Sequence, residues 1–193
     1  DPTATNYDAT ATVDDGSCTY PAAMVNLFFS EYAEGSSNNK YLEIYNPSSD
    51  TVLLSDYGYA NVSNAPSTPG VYEYWNEFDA GAFIAPGDVY VVANNNAGAT
   101  DQLGVLADKE SGAMAYNGDD AVLLNKDGTL IDIIGATNGD PGSAWDVAGV
   151  NNATKDKKLM RKSYINSPNA TNSGSLGNNS SDSEWIVYDQ NTW

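Results

Sequence analysis

The chain has no histidine and a single cysteine, Cys18. The first absence removes the commonest general base, the usual transition-metal ligand, and the histidine-dependent nuclease and protease designs. The second excludes an internal disulfide, so Cys18 either pairs with a thiol outside this sequence or stays free. Positive charge is scarce as well: 8 Lys and Arg stand against 26 Asp and Glu, a net charge of −18. Such a surface repels nucleic-acid phosphates and anionic membranes, which argues against both as partners. It favours solubility and draws in cations. No apolar run approaches the roughly 18 residues a membrane helix requires, so no membrane insertion is expected. No basic-then-apolar export signal opens the chain, and the start at Asp1 reads as that of a mature or excised piece.

What remains is a β-rich composition. In 193 residues, 41% are hydrophobic, with 17 glycines and 13 tyrosines, enough for one well-buried core. The organising stretch is Asn117 to Gly135. Two aliphatic runs, Ala121 to Leu124 and Thr129 to Ile134, flank Asn125-Lys126-Asp127-Gly128, and the Asp-Gly pair is a strong hairpin signal. This hairpin is expected at the centre of a sandwich. Further strands are predicted at 25–34, 41–46, 51–59, 71–78, 88–93, 103–106 and 184–188, with an edge strand at 158–163. Loops are predicted at 61–70, 94–102 and 109–115, and the polar, low-complexity 166–181 reads as a mobile loop. Trp145, just past the turn residues Gly139-Asp140-Pro141-Gly142, is expected to lid the core. With no convincing 3.6-residue period, the pattern predicts an all-β, antiparallel sandwich.

Residues 1–20 hold four aspartates, no positive charge and little to fill a core. Asp1, Asn6, Asp8, Asp14 and Asp15 supply the short oxygen-bearing side chains that a calcium ion takes, and Gly16 permits the turn that would fold Asp14 and Asp15 back. Composition alone favours a solvated acidic linker.

Two resemblances bear on these readings. Asp1-Pro2, Ala4, Asn6-Tyr7-Asp8, Ala11 and Asp14-Asp15-Gly16-Ser17-Cys18 resemble an aspartate-rich repeat of secreted bacterial proteins, akin to thrombospondin type 3 calcium repeats. That resemblance implies calcium as the cofactor, and a partner for Cys18 lying before Asp1. Residues 25 to about 190 resemble a lamin-tail domain of the secreted bacterial type. The likeness is carried by Leu27 to Tyr32 with Glu34 to Lys40, by Leu42-Glu43-Ile44-Tyr45-Asn46, by Pro86-Gly87-Asp88 and by Asn117 to Val122. Ile131 to Gly135 and Asp140 to Trp145 extend it. It implies an immunoglobulin-like sandwich over 24–193 behind the calcium-binding segment 1–20, an extracellular or cell-surface setting, and no catalysis. The ending 184–193 is similar to copies that run a few residues further, so cuts at both ends are expected.

Among candidate sites, Glu31, Glu34, Asp119 and Asp120 are acids beside strands that could share a second cation between the first strand and the hairpin. Alternatively, the two aspartates cap a turn by bonding backbone amides, and Glu43 pairs with Lys40 or a later lysine. Paired carboxylates could also serve a glycosidase or metal-dependent nuclease, which separation and pocket shape would decide. Tyr57, Tyr59, Tyr72, Tyr74 and Trp75 suit either core filling or stacking on sugar rings. Lys155, Lys157, Lys158, Arg161 and Lys162 read as an edge strand guarded by lysines, or as a phosphate patch. Asn61, Asn152, Asn169, Asn178 and Asn179 begin Asn-x-Ser/Thr sequons. The expectation is a non-catalytic extracellular module with structural calcium, used for adhesion or assembly within a larger protein. Its partners would be neighbouring domains, with self-assembly or a surface glycan. The alternative is a targeting domain for polysaccharide or extracellular DNA beside a secreted enzyme such as a nuclease.

Overall fold

The computed structural model describes residue 10 and residues 26–64, 66–96 and 107–192. Alternating apolar residues pair into two packed sheets. The larger is built from β1 (Phe28–Glu34), β2 (Lys40–Tyr45), β7 (Val89–Asn94), β8 (Lys109–Ser111), β11 (Lys157–Arg161) and β12 (Trp185–Asp189), in the order β12-β11-β1-β2-β7-β8. The smaller runs β10-β9-β4-β5, from β4 (Tyr57–Val62), β5 (Tyr74–Glu77), β9 (Ala121–Lys126) and β10 (Thr129–Ile134). A separate ribbon pairs β3 (Val52–Leu53) with β6 (Phe83–Ile84). The expected immunoglobulin-like β-sandwich is what the chain forms.

Period-2 alternation builds the core between the sheets. Leu42 and Ile44 of β2 meet Tyr57 and Tyr59 of β4 and Val122 and Leu124 of β9 in one buried cluster, with Trp145 packed partly buried against it. The residues between them face outward: Ala60, Leu123 and Ile133 form a second cluster on the other face of the smaller sheet. Register shifts interrupt β1 between Phe29 and Glu31 and β10 between Leu130 and Asp132. The first lets Phe29 and Tyr32, three residues apart, both enter the core. The β9–β10 hairpin turns at Asp127 (φ 49) and Gly128 (φ 73), the pair of positive angles that a two-residue type I′ turn demands.

Several expectations need correction. The hairpin is not central, because β10 is an edge of the smaller sheet. The stretch 51–59 is broken by a 3₁₀ turn at Leu54–Asp56, and Asn61 and Val62 belong to β4 rather than to a loop. Segment 109–115 contributes β8, which pairs with β7 in parallel, so the larger sheet is mixed. β11 is no edge: it lies between β1 and β12. The loop expected at 166–181 contains α1 (Asn172–Leu176), whose Ser175 and Leu176 are buried, since Leu176 joins the core and Ser175 bonds into it. The strand expected at 103–106 lies outside the described residues. Among the described residues no helix is long and apolar enough to cross a membrane.

Candidate functional site

The calcium candidates Asp1, Asn6, Asp8, Asp14 and Asp15 lie outside the described residues. The second set of acids is placed, and each finds its partner within the fold. Glu31 lies 3.0 Å from Lys158 Nζ and accepts the Tyr41 hydroxyl at 2.5 Å. Glu34, buried at the end of β1, accepts from Lys40 Nζ at 3.0 Å and from the Asp156 amide at 3.0 Å. Asp120 accepts the amides of Asn117 (2.8 Å) and Asn64 (3.0 Å), and Asp119 accepts from Asn64 Nδ2 at 3.1 Å. Glu43 accepts from Ser30 Oγ at 2.7 Å rather than from a lysine. Glu34, Asp119 and Lys155 line one cavity of about 260 Å³. Among the described residues no three His, Cys, Asp or Glu side chains gather as a metal site would need.

Burial acts on these acids. It pushes the Glu43 carboxyl above its ordinary value, with Ser30 pulling the other way and Glu31 adding to the rise. It pushes Asp120 up too, opposed by the two amides that Asp120 accepts.

The basic cluster is divided by the fold. Lys158 and Arg161 are buried, so neither a lysine-guarded edge nor a phosphate patch describes them. Arg161 reaches from β11 across the sandwich to Asp132 of β10, with Nη1 to Oδ2 at 3.0 Å and Nη2 to Oδ1 at 3.1 Å. Asp132 also accepts the amides of Phe29 at 2.8 Å and Asn169 at 3.0 Å. Ser175 Oγ accepts from both Arg161 Nη2 (3.1 Å) and Trp185 Nε1 (2.6 Å), and the guanidinium lies 4.4 Å from the Trp185 ring centroid. The signal in the sequence was an aspartate inside the apolar run 131–134. A charge there has to be paired.

The aromatic group is divided in the same way. Tyr57 and Tyr59 are core residues, and Tyr72 packs partly buried on the outward cluster. Tyr74 and Trp75, on the edge strand β5, are 58% and 42% exposed. They border a cleft of about 590 Å³ between β5 and the chain at 112–116, with Asn61, Glu73 and Asp120 also in its lining. Trp75 lies over Gly58 of β4, where a β-carbon would stand 2.1 Å from Trp75 Cζ2. Asn61 alternates inward with Tyr57 and Tyr59. Its Nδ2 donates to the Ala113 carbonyl, and its buried Oδ1 has no hydrogen-bond partner. Asn61, a loop residue and sequon by its sequence pattern, lies in β4 at 7% exposure and is no acceptor for glycosylation in the folded chain.

The sequence matches the family described as Lamin Tail Domain over residues 21–138. No curated protein matches it.

Proposed function

Because the chain belongs to the lamin tail domain family, a family of immunoglobulin-like and generally non-catalytic modules, we propose that it is an attachment module working outside the cell. It would hold neighbouring domains of a larger secreted or surface protein in place, through adhesion or assembly. The observation that carries this reading is the state of the acids. Glu31, Glu34, Asp119 and Asp120 are each engaged by a lysine, a hydroxyl, an amide or an asparagine of the fold, an arrangement that stiffens a scaffold. General acid–base work instead needs carboxylates facing a substrate.

Calcium belongs, in this reading, to Asp1, Asn6, Asp8, Asp14 and Asp15. Their spacing and short oxygen donors suit a hard cation, and a net charge of −18 raises its local concentration. The ion would be structural. Chelation is therefore expected to speed proteolysis within residues 1–20 and to lower the melting temperature, both reversed by added calcium. Identical cleavage and melting with and without chelator would remove calcium from the proposal.

A further inference from the structure

We propose that Asn138 is a site of spontaneous covalent modification, at which the Gly139 amide nitrogen closes on the side-chain amide and the asparagine becomes aspartate and isoaspartate, with water as the only co-reactant.

The chain carries the tripeptide Asn-Gly-Asp twice, at 117–119 and at 138–140. Glycine after asparagine leaves the attacking nitrogen uncrowded in both copies. To reach Cγ, however, that nitrogen has to swing, and the whole Asn-Gly peptide plane turns with it. The fold opposes this movement at one copy only.

At 117 the plane is held on every side. The Asn117 amide donates to Asp120 Oδ2 at 2.8 Å, and the Asn117 carbonyl accepts the Asp120 amide at 3.0 Å. Gly118 is buried, its carbonyl accepts the Thr154 hydroxyl at 2.5 Å, and a β-carbon there would stand 2.5 Å from Lys155 Cβ. At 138 the plane is open. Asn138 and Gly139 are both exposed, past the end of β10, and a β-carbon on Gly139 would meet no atom within 4 Å. Among the described residues no hydrogen bond holds the Asn138 side chain or the Gly139 amide. Such exposed turns are where a chain tolerates covalent change.

The deprotonated Gly139 nitrogen attacks Asn138 Cγ, a C–N bond closes a five-membered imide, and the side-chain nitrogen leaves as ammonia, carrying the proton. Water then opens the ring at either carbonyl. One opening gives aspartate; the other gives isoaspartate, whose main chain runs through the former side chain. Both products add a negative charge. Isoaspartate also lengthens the backbone by a methylene beside Thr137, whose carbonyl accepts the Gly70 amide at 2.8 Å and so ties the loop before β5 to this turn.

The test ages the full chain at mildly alkaline pH in heavy-oxygen water and maps the label by peptide mass spectrometry, so that only acid formed during ageing carries it. Labelled acid is expected at 138 at least about tenfold faster than at 117, and the gap should close in guanidinium chloride, where both copies are unfolded. Gly139→Ala, whose methyl crowds the nitrogen and meets nothing else, should slow the reaction about tenfold. The isoaspartyl form should exchange the Gly70 amide hydrogen faster than Asn138→Asp, which adds the charge without the methylene. No labelled acid at 138, equal rates at 117 and 138 in the folded chain, or a gap that survives unfolding would overturn the site. Equal exchange in the isoaspartyl form and in Asn138→Asp would overturn its link to the loop.

Discussion

Arg161 and Asp132 add a charged tie between the two sheets to the hydrophobic core that packs them together. Both are buried, and the bidentate pairing, with the Phe29 and Asn169 amides on the same carboxylate, supplies what desolvation removes. Taking away one partner leaves the other charged in a dry interior. Arg161→Met is therefore expected to cost about 3–5 kcal/mol in urea unfolding. Pairing it with Asp132→Leu should recover much of that loss, since an apolar pair of similar volume tolerates the site. If the double variant is as unstable as the sum of the singles, the coupling is absent and the network acts through its separate amide bonds.

At the scale of elements, turns and strand pairings bring distant motifs together. Asn46, at the end of β2, donates its Nδ2 to the carbonyls of Ile84 and Ala85, and its backbone exchanges bonds with Gly87 and Asp88. Two stretches that were separate signals in the sequence, 42–46 and 86–88, are thus one structural unit. Strand β5 depends on a similar local fit. Trp75 occupies the space a side chain at position 58 would take, so the indole is held over bare backbone. Gly58→Ala should displace the ring, red-shift the emission assigned to Trp75 by comparison with Trp75→Phe, and cost about 1–3 kcal/mol. Gly139→Ala, with nothing near the added carbon, should stay within about 0.5 kcal/mol of the parent. Equal losses at the two positions would mean that backbone freedom, and not the indole, sets the requirement for glycine at 58.

The whole molecule carries its excess of acid against its own compactness. Two effects of pH share one sign. Self-repulsion from a net −18 weakens as carboxylates protonate. Glu43 and Asp120, whose carboxyls burial raises, bind protons in the folded state before the unfolded chain does. Stability linked to them is fully present below their unfolded values and is lost as pH rises through the higher folded values. The urea midpoint is expected to rise as pH falls from 7 toward 5. Salt distinguishes the two causes, because about 0.15 M shortens the Debye length to about 8 Å and suppresses only the long-range part. At that salt, Glu43→Gln, which can keep the Ser30 bond, should be more stable than the parent at pH 7 and equal to it below about pH 4. A midpoint that falls steadily on acidification would reverse the assigned sign.

Period-2 runs and turn residues were enough to determine the sandwich, the β9–β10 hairpin and most strand positions, because backbone pairing and face alternation are local. Residues 121–124 and 129–134 state their partner by proximity. Which strand lies at an edge is not local. β11 looked like a guarded rim from its lysines and proved internal, because β12 arrives from nearly the end of the chain to cover it. The same holds for function. The acids at 31, 34, 119 and 120 were legible as residues, but their lysine and amide partners come from elsewhere in the chain. Of five aromatics close in sequence, three are buried or half-buried and two line the open flank. Composition determined the charge and the chemistry excluded by missing histidine. Only the packing of one sheet on the other decided that Asn61 would be buried with an unpaired oxygen, since burial and pairing belong to the space between elements.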